Sequence, residues 1–568
     1  MAGPVHYEVF IRRTAPAPWT LLIATEDRKH AMTTAEEVMA DSGAAAVRVT
    51  KETLDSETME FNSLTILTRG APETKPKPRN AAAAGPACTG PMDLYAPQAR
   101  ALIARVLEDW LARQGATTFE LLHRPDLAER LEASGVELQH AIQKVAVPES
   151  QATGQPIHDL MRHYQRLADA AIDRLIKHGR REGFPDAATQ PLAGIAERLK
   201  AGSDRAFVMG GVLSAALKDL RGARARLSKL ADLIDAAPPE GGPRALVLVG
   251  AEQIASEMLG DRKVLAEVLG PALDQGGSLA AVIRMVAPRE VEALTRMDPR
   301  LALLTPTLDG PAARLGAHLD AGEFPLLAAS LARMVVRELM SPRRLRPSDA
   351  RGEIDILRAL AMSLTATAGR LLTLEEVQNA FVERSKALVA ADFVQAYVAP
   401  CDTVLCEAEH LMRLCENVTG AANKRAAARW LHACITSLRF ETEMRKSANP
   451  MAALATLARL QKAAQGLQLN EQDEAQVIAA LGAVGGAVET ESRLLAQIVR
   501  AGAAPAQKLS ALLRLGVGET APLGPAADRA KAEALRLLRA PETRTALAAA
   551  PAELNAMRDL MTAAGLAA

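Results

Sequence analysis

Apolar side chains recur at two different periods along the chain. Between residues 5 and 70 the period is two. In "VHYEVFIRR" Val5, Tyr7, Val9 and Ile11 fall on one face, and "WTLLIAT" repeats the pattern with Trp19, Leu21 and Ile23. Alternation of this kind marks half-buried strands. The stretch "RKHAMTTAEEVMADSG" reads as a helix ended by Gly43, and "AAVRVTKET" and "EFNSLTILT" as two more strands around the turn "LDSET". The order ββαββ predicts a small α+β module, an antiparallel sheet with one helix on a face.

From about residue 97 onward the apolar positions recur every three or four residues, as in "APQARALIARVLEDWLARQG". That spacing puts them on one stripe of a helix. Many of these segments run into Gly or Pro, for example Gly115, Gly135, Gly270 and Pro342. "ALVLVG" before Gly250 could pass for a buried strand, but "AEQIASEMLG" continues it at helical spacing, so the whole is expected to be one helix. No fixed repeat period appears. The fold class expected is therefore mainly α: a large all-helical body, an irregular array or bundles in series, preceded by the α+β module. The boundaries that follow are 1–70 for the module, 71–96 for a Pro/Lys/Ala linker, and 97–237 and 244–568 for the helical domains. "SPRRLRP" at 341–347 is a break that would subdivide the last.

Composition narrows the function classes. Of 568 residues, 49% are hydrophobic and only 3% aromatic, which favours Ala- and Leu-rich helix over sheet. Lys+Arg and Asp+Glu are equal at 67 each, so the charge argues against nucleic acid as the partner. No run of about 18 apolar residues suggests a membrane span. The N-terminal segment lacks the basic-then-apolar order of a signal peptide. Five cysteines, an odd number thinly spread, point to reduced thiols and a cytoplasmic protein. Cys88 lies in the linker and is expected to be exposed.

Four of the cysteines fall between residues 401 and 434. On a helix beginning near Asp402, Val404, Leu405, Ala408, Leu411, Met412 and Cys415 share the core stripe, whereas Cys406 and His410 share another side. Cys406, His410 and Cys415 cannot converge from one helix. Gly420 is expected to end that helix. A second would turn Ala427, Trp430, Leu431, Cys434 and Leu438 inward. The expectation is an αα-hairpin whose thiols act as small hydrophobes, with neither metal nor cofactor; Cys406 with His410 as half of an interhelix site is the alternative.

Glu-x-x-His occurs at Glu120/His123, Glu137/His140 and Glu407/His410, a spacing used by helical metalloproteins, though solvated polar faces produce it as well. "GVGETAPLG" at 516–524 follows a helix rather than a strand and lacks the Lys-Ser/Thr ending of a phosphate loop, so a plain loop is expected. Arg343, Arg344, Arg346 and Arg351 cluster between one helix end and the next helix start, where guanidiniums and free N–H groups suit an anion.

No catalytic constellation assembles from these residues. The function expected is a non-enzymatic scaffold or regulatory adaptor that binds another protein, with self-association compatible with the same surfaces. The alternatives are a regulator holding a small anionic ligand at the 343–351 arginines, and a metalloprotein built on the Glu-x-x-His pairs.

Overall fold

A computed structural model describes residues 5–14, 19–40, 44–54, 61–70, 88–270, 272–549 and 551–566. Residues 55–58 of the expected turn, the expected helix end at Gly43 and residues 71–87 of the linker lie outside them. Among the described residues there are 29 α-helices, two short 3-10 helices and four strands. The mainly helical fold preceded by a ββαββ module is what the periodicities predicted.

The strands β1 (Val5–Arg12), β2 (Thr20–Thr25), β3 (Ala46–Leu54) and β4 (Phe61–Gly70) form one antiparallel sheet in the order β2-β1-β3-β4. Val9, Val47 and Val49 bury one face against Ala31 and Ala35 of the helix Arg28–Ala40, with Tyr7, Ile11 and Ile23 packed around them. One expectation fails here. Val9 pairs with Ile23 but Phe10 pairs with Leu21, so a bulge at Leu22 moves Leu21 to the opposite face, where it is 48% exposed. An extra residue flips everything beyond it, because the side-chain period is two. On that outer face the guanidiniums of Arg12 and Arg48 both lie 4.8 Å from the Trp19 ring.

The chain divides into two compact units, residues 1–114 with 126–177, and residues 115–125 with 178–568. In the first, the helix Ile157–Arg181, which belongs to this unit as far as Lys177, buries Leu160, Leu167, Ala171, Ile172 and Leu175, one stripe of a strongly amphipathic segment, with Asp159 in its first turn. Cys88 is half-buried rather than exposed, and its carbonyl accepts a hydrogen bond from the His163 ring at 2.8 Å.

In the second unit one apolar core runs from Phe119 and Leu192 to Leu547 and Met557. The "ALVLVG" segment lies inside the helix Gly241–Leu259, as its spacing predicted. Close approach between elements depends on glycine at the helix Glu471–Ser492. A Cβ on Gly482 would lie 2.4 Å from the Leu523 carbonyl oxygen, and one on Gly485 2.4 Å from Pro522. The loop 516–524 is thereby seated on that helix. Gln461 secures it, donating to the Leu523 carbonyl at 2.9 Å and accepting from its N–H at 2.7 Å.

Candidate functional site

The helix Pro325–Leu339 ends before Ser341, and the next begins at Ala350 with Asp349 as N-cap, its carboxylate accepting from Gly352 N–H at 2.8 Å. Between them runs the arginine-rich break. Its organiser is Glu353, 1% exposed, whose carboxylate accepts from Arg344 Nε at 2.6 Å, Arg384 at 3.1 Å and the Leu345 N–H at 3.2 Å. Arg384, equally buried, also donates to the carbonyls of Ser341 and Arg343. Burial lowers its pKa most, and the neighbouring Arg344 lowers it further, against the opposing pull of Glu353. Arg346 pairs with Asp274 at 3.0 Å, and Arg343 points to solvent. The structure thus brings the break together around a carboxylate, and engages Arg344 and Arg346 with acids. Arg351 goes elsewhere: its Nη2 lies 3.2 Å from the sulfur of Cys401.

Cys401 is the residue that helical reasoning passed over, because it precedes the helix. That helix, Val404–Asn417, starts at Thr403, whose hydroxyl accepts from Cys406 N–H at 3.1 Å, while the Glu443 carboxylate accepts from Val404 N–H at 2.9 Å. These caps fix Cys406 in the first turn and His410 one turn later, on one side as expected. The turn before the cap, with Cys401 N–H bonded to the Val398 carbonyl at 2.8 Å, folds Cys401 back over both. Its sulfur lies 2.9 Å from Cys406 Sγ and 3.6 Å from His410 Nδ1, and Cys406 Sγ is 3.5 Å from the same nitrogen. All three donor atoms fall within 4.8 Å of one another, and all three residues are half-buried. His410 Nδ1 is also 2.9 Å from the Cys406 carbonyl, and its ring meets Tyr397 edge-on at 5.4 Å. Burial and the Cys406 thiol push the Cys401 pKa up to about 11, with Arg351 pulling the other way. The signal available in the sequence was the spacing Cys-x4-Cys-x3-His.

The remaining thiols behave as core groups. Cys415 is fully buried, and burial raises it to about 12; Cys434 packs half-buried against the core and is likewise raised by burial to about 12. The second helix of the hairpin spans Ala421–Ile435 and buries Ala427 and Leu431 as expected. Leu438 does not join them. It is 75% exposed, because Ser437 caps a new helix, Leu438–Arg445, and restarts the phase. Gly420, with φ +95°, precedes the second helix rather than ending the first.

Each Glu-x-x-His pair is engaged locally. The buried Glu120 caps its own helix through Thr117 N–H at 2.8 Å and pairs with Arg226, and His123 stacks on Phe119 at 4.1 Å. Glu137 pairs with Arg113 and His140 is exposed. Glu407 pairs with Arg439 at 3.3 Å, leaving His410 to the thiols.

A second feature lies on the surface of the same unit. The helices Gly241–Leu259 and Pro325–Leu339 leave an open groove of about 310 Å³, with the buried Leu259, Leu327, Leu331 and Met334 beneath it and Ser256, Ser330, Arg333 and Arg337 along its rim. Both arginines are exposed.

Among the described residues no helix is long and apolar enough to cross a membrane. The chain matches no protein-family model and no curated protein. Among solved structures it is similar to a "circular tandem repeat protein with novel repeat topology and enhanced subunit contact surfaces". That similarity has 14% identity over 82% of this chain and 95% of that one, at a TM-score of 0.22.

Proposed function

We propose that the protein is a non-enzymatic cytoplasmic scaffold or adaptor whose helical body receives a helix of another protein. The observation that supports this most is the groove between Gly241–Leu259 and Pro325–Leu339. Its apolar floor, Leu259, Leu327, Leu331 and Met334, is buried, so a docked helix would be held chiefly at the rim, where the exposed Ser330, Arg333 and Arg337 select a partner helix with acidic residues on its flank. The groove walls are two helices of one continuous core, so little ordering is required on this side of the interface. The anion-regulator reading has less support, since Arg344 and Arg346 already face Glu353 and Asp274.

The test places a photo-crosslinking residue at Ser330 and identifies what it captures in cells. The captured protein is then purified and titrated with the wild type and with the Arg333→Glu/Arg337→Glu variant. The reading expects a partner with an acidic amphipathic helix and at least a tenfold loss of affinity on charge reversal. A captured protein whose affinity is unchanged by the reversal, or no crosslink specific to Ser330, would contradict it.

A further inference from the structure

The thiol-imidazole cluster is independent of the groove and points to a different activity. We propose that Cys401, Cys406 and His410 bind one thiophilic d10 metal ion, Zn²⁺ or Cu⁺, through Sγ, Sγ and Nδ1. Two thiolates and an imidazole are the donor set that these ions prefer, and hard cations such as Mg²⁺ and Ca²⁺ reject it. The distances bear on the point directly. Tetrahedral zinc, with Zn–S about 2.3 Å and Zn–N about 2.0 Å, places sulfur and nitrogen about 3.5 Å apart and two sulfurs about 3.8 Å apart. The two S···N distances are 3.5 and 3.6 Å. The S···S distance of 2.9 Å is shorter. Opening it by about 0.9 Å to the zinc value falls to Cys401, which sits in a turn and not in a helix.

A Cys401–Cys406 disulfide is the competing fate of the pair, and it would require the sulfurs to close to about 2.05 Å. It gives no reason for an imidazole nitrogen nearly equidistant from both sulfurs. Burial raises the Cys401 thiol, and two groups act the other way, toward the thiolates that an ion needs. The N-terminal end of Val404–Asn417 lies under Cys406, and the Arg351 guanidinium sits 3.2 Å from Cys401. With Cu⁺, the two thiolates and Arg351 sum to zero charge; with Zn²⁺ the excess is a single positive charge, and a tetrahedral shell needs one further ligand. Binding releases the two thiol protons to solvent. The imidazole remains neutral, its hydrogen moving from Nδ1, where the Cys406 carbonyl accepts it in the free protein, to Nε2. No electron is transferred.

The test uses the full chain, reduced and handled without oxygen. One portion is titrated with Zn²⁺ against a chromophoric chelator, and another with Cu⁺ against a Cu⁺-specific competitor. Elemental analysis follows, together with Co²⁺ substitution, which reports thiolate ligation by its near-ultraviolet charge-transfer band. One equivalent of either ion is expected, lost in Cys401→Ser and Cys406→Ser, weakened at least tenfold in His410→Ala and retained in Cys88→Ser. The wild-type titration stands even where a variant folds poorly, and circular dichroism identifies such a variant. Failure of both ions to bind stoichiometrically would overturn the proposal. So would binding that survives Cys401→Ser, or a Cys401–Cys406 disulfide recovered by mass spectrometry from metal-free, oxygen-excluded protein.

Discussion

Arg384 and Glu353 form an ion pair 3.1 Å long in which both side chains are 1% exposed. Arg384 reaches it from the helix Leu374–Leu388, Glu353 from Ala350–Ala366, and the guanidinium also binds the carbonyls of the intervening break. The pair is therefore what gives residues 341–347 a defined path. Truncating one partner leaves a buried charge short of its neighbour, a loss of about 3–5 kcal/mol. Arg384→Ala should lower the unfolding free energy by that order in urea titration. Arg343→Ala, at an exposed position, should fall within about 0.5 kcal/mol of wild type.

The glycine face of Glu471–Ser492 makes a second prediction. Gly482→Ala would gain helix propensity but drive its methyl into the Leu523 carbonyl, 2.4 Å from the new Cβ. Overpacking of this kind costs about 1–3 kcal/mol. Gly502→Ala, with nothing within 4 Å of its Cβ, should be nearly neutral. Thermal melts of the two variants separate these outcomes.

Glu323 carries a pH dependence. Burial raises its pKa, but hydrogen bonds from Arg244 and His318 outweigh that and hold it below the ordinary value; Asp235 stands on the far side of the His318 ring. A depressed carboxyl stabilises the fold above its unfolded pKa of about 4.3, and the contribution disappears as pH falls through the lower folded value. The unfolding free energy of Glu323→Gln should therefore fall less steeply than that of the wild type below about pH 5. Equal slopes would remove Glu323 from the acid response.

The sequence was most legible where one period persisted. Val9 in its strand and Leu160 to Leu175 in their helix are buried where alternation and the 3.6-residue stripe put them. It was least legible where the phase resets. One bulge turned Leu21 outward, and a new cap at Ser437 turned Leu438 outward. The thiol cluster was missed for the same reason. Helical angles relate Cys406 to His410, but Cys401 lies ahead of the cap, where no periodicity applies and the path is set by a turn and by the Thr403 and Glu443 caps. The arginine break was visible as charge, while its organiser, Glu353, read as one more helical acid until Arg384 arrived from 31 residues away.

The most direct measurement is X-ray absorption at the zinc edge on protein loaded with one equivalent. Coordination by Cys401, Cys406 and His410 predicts two sulfur scatterers at about 2.3 Å and an imidazole nitrogen at about 2.0 Å, with any fourth ligand light. The sulfur shell should vanish in the Cys401→Ser/Cys406→Ser variant. A first shell of oxygen and nitrogen alone in the wild type would contradict the assignment.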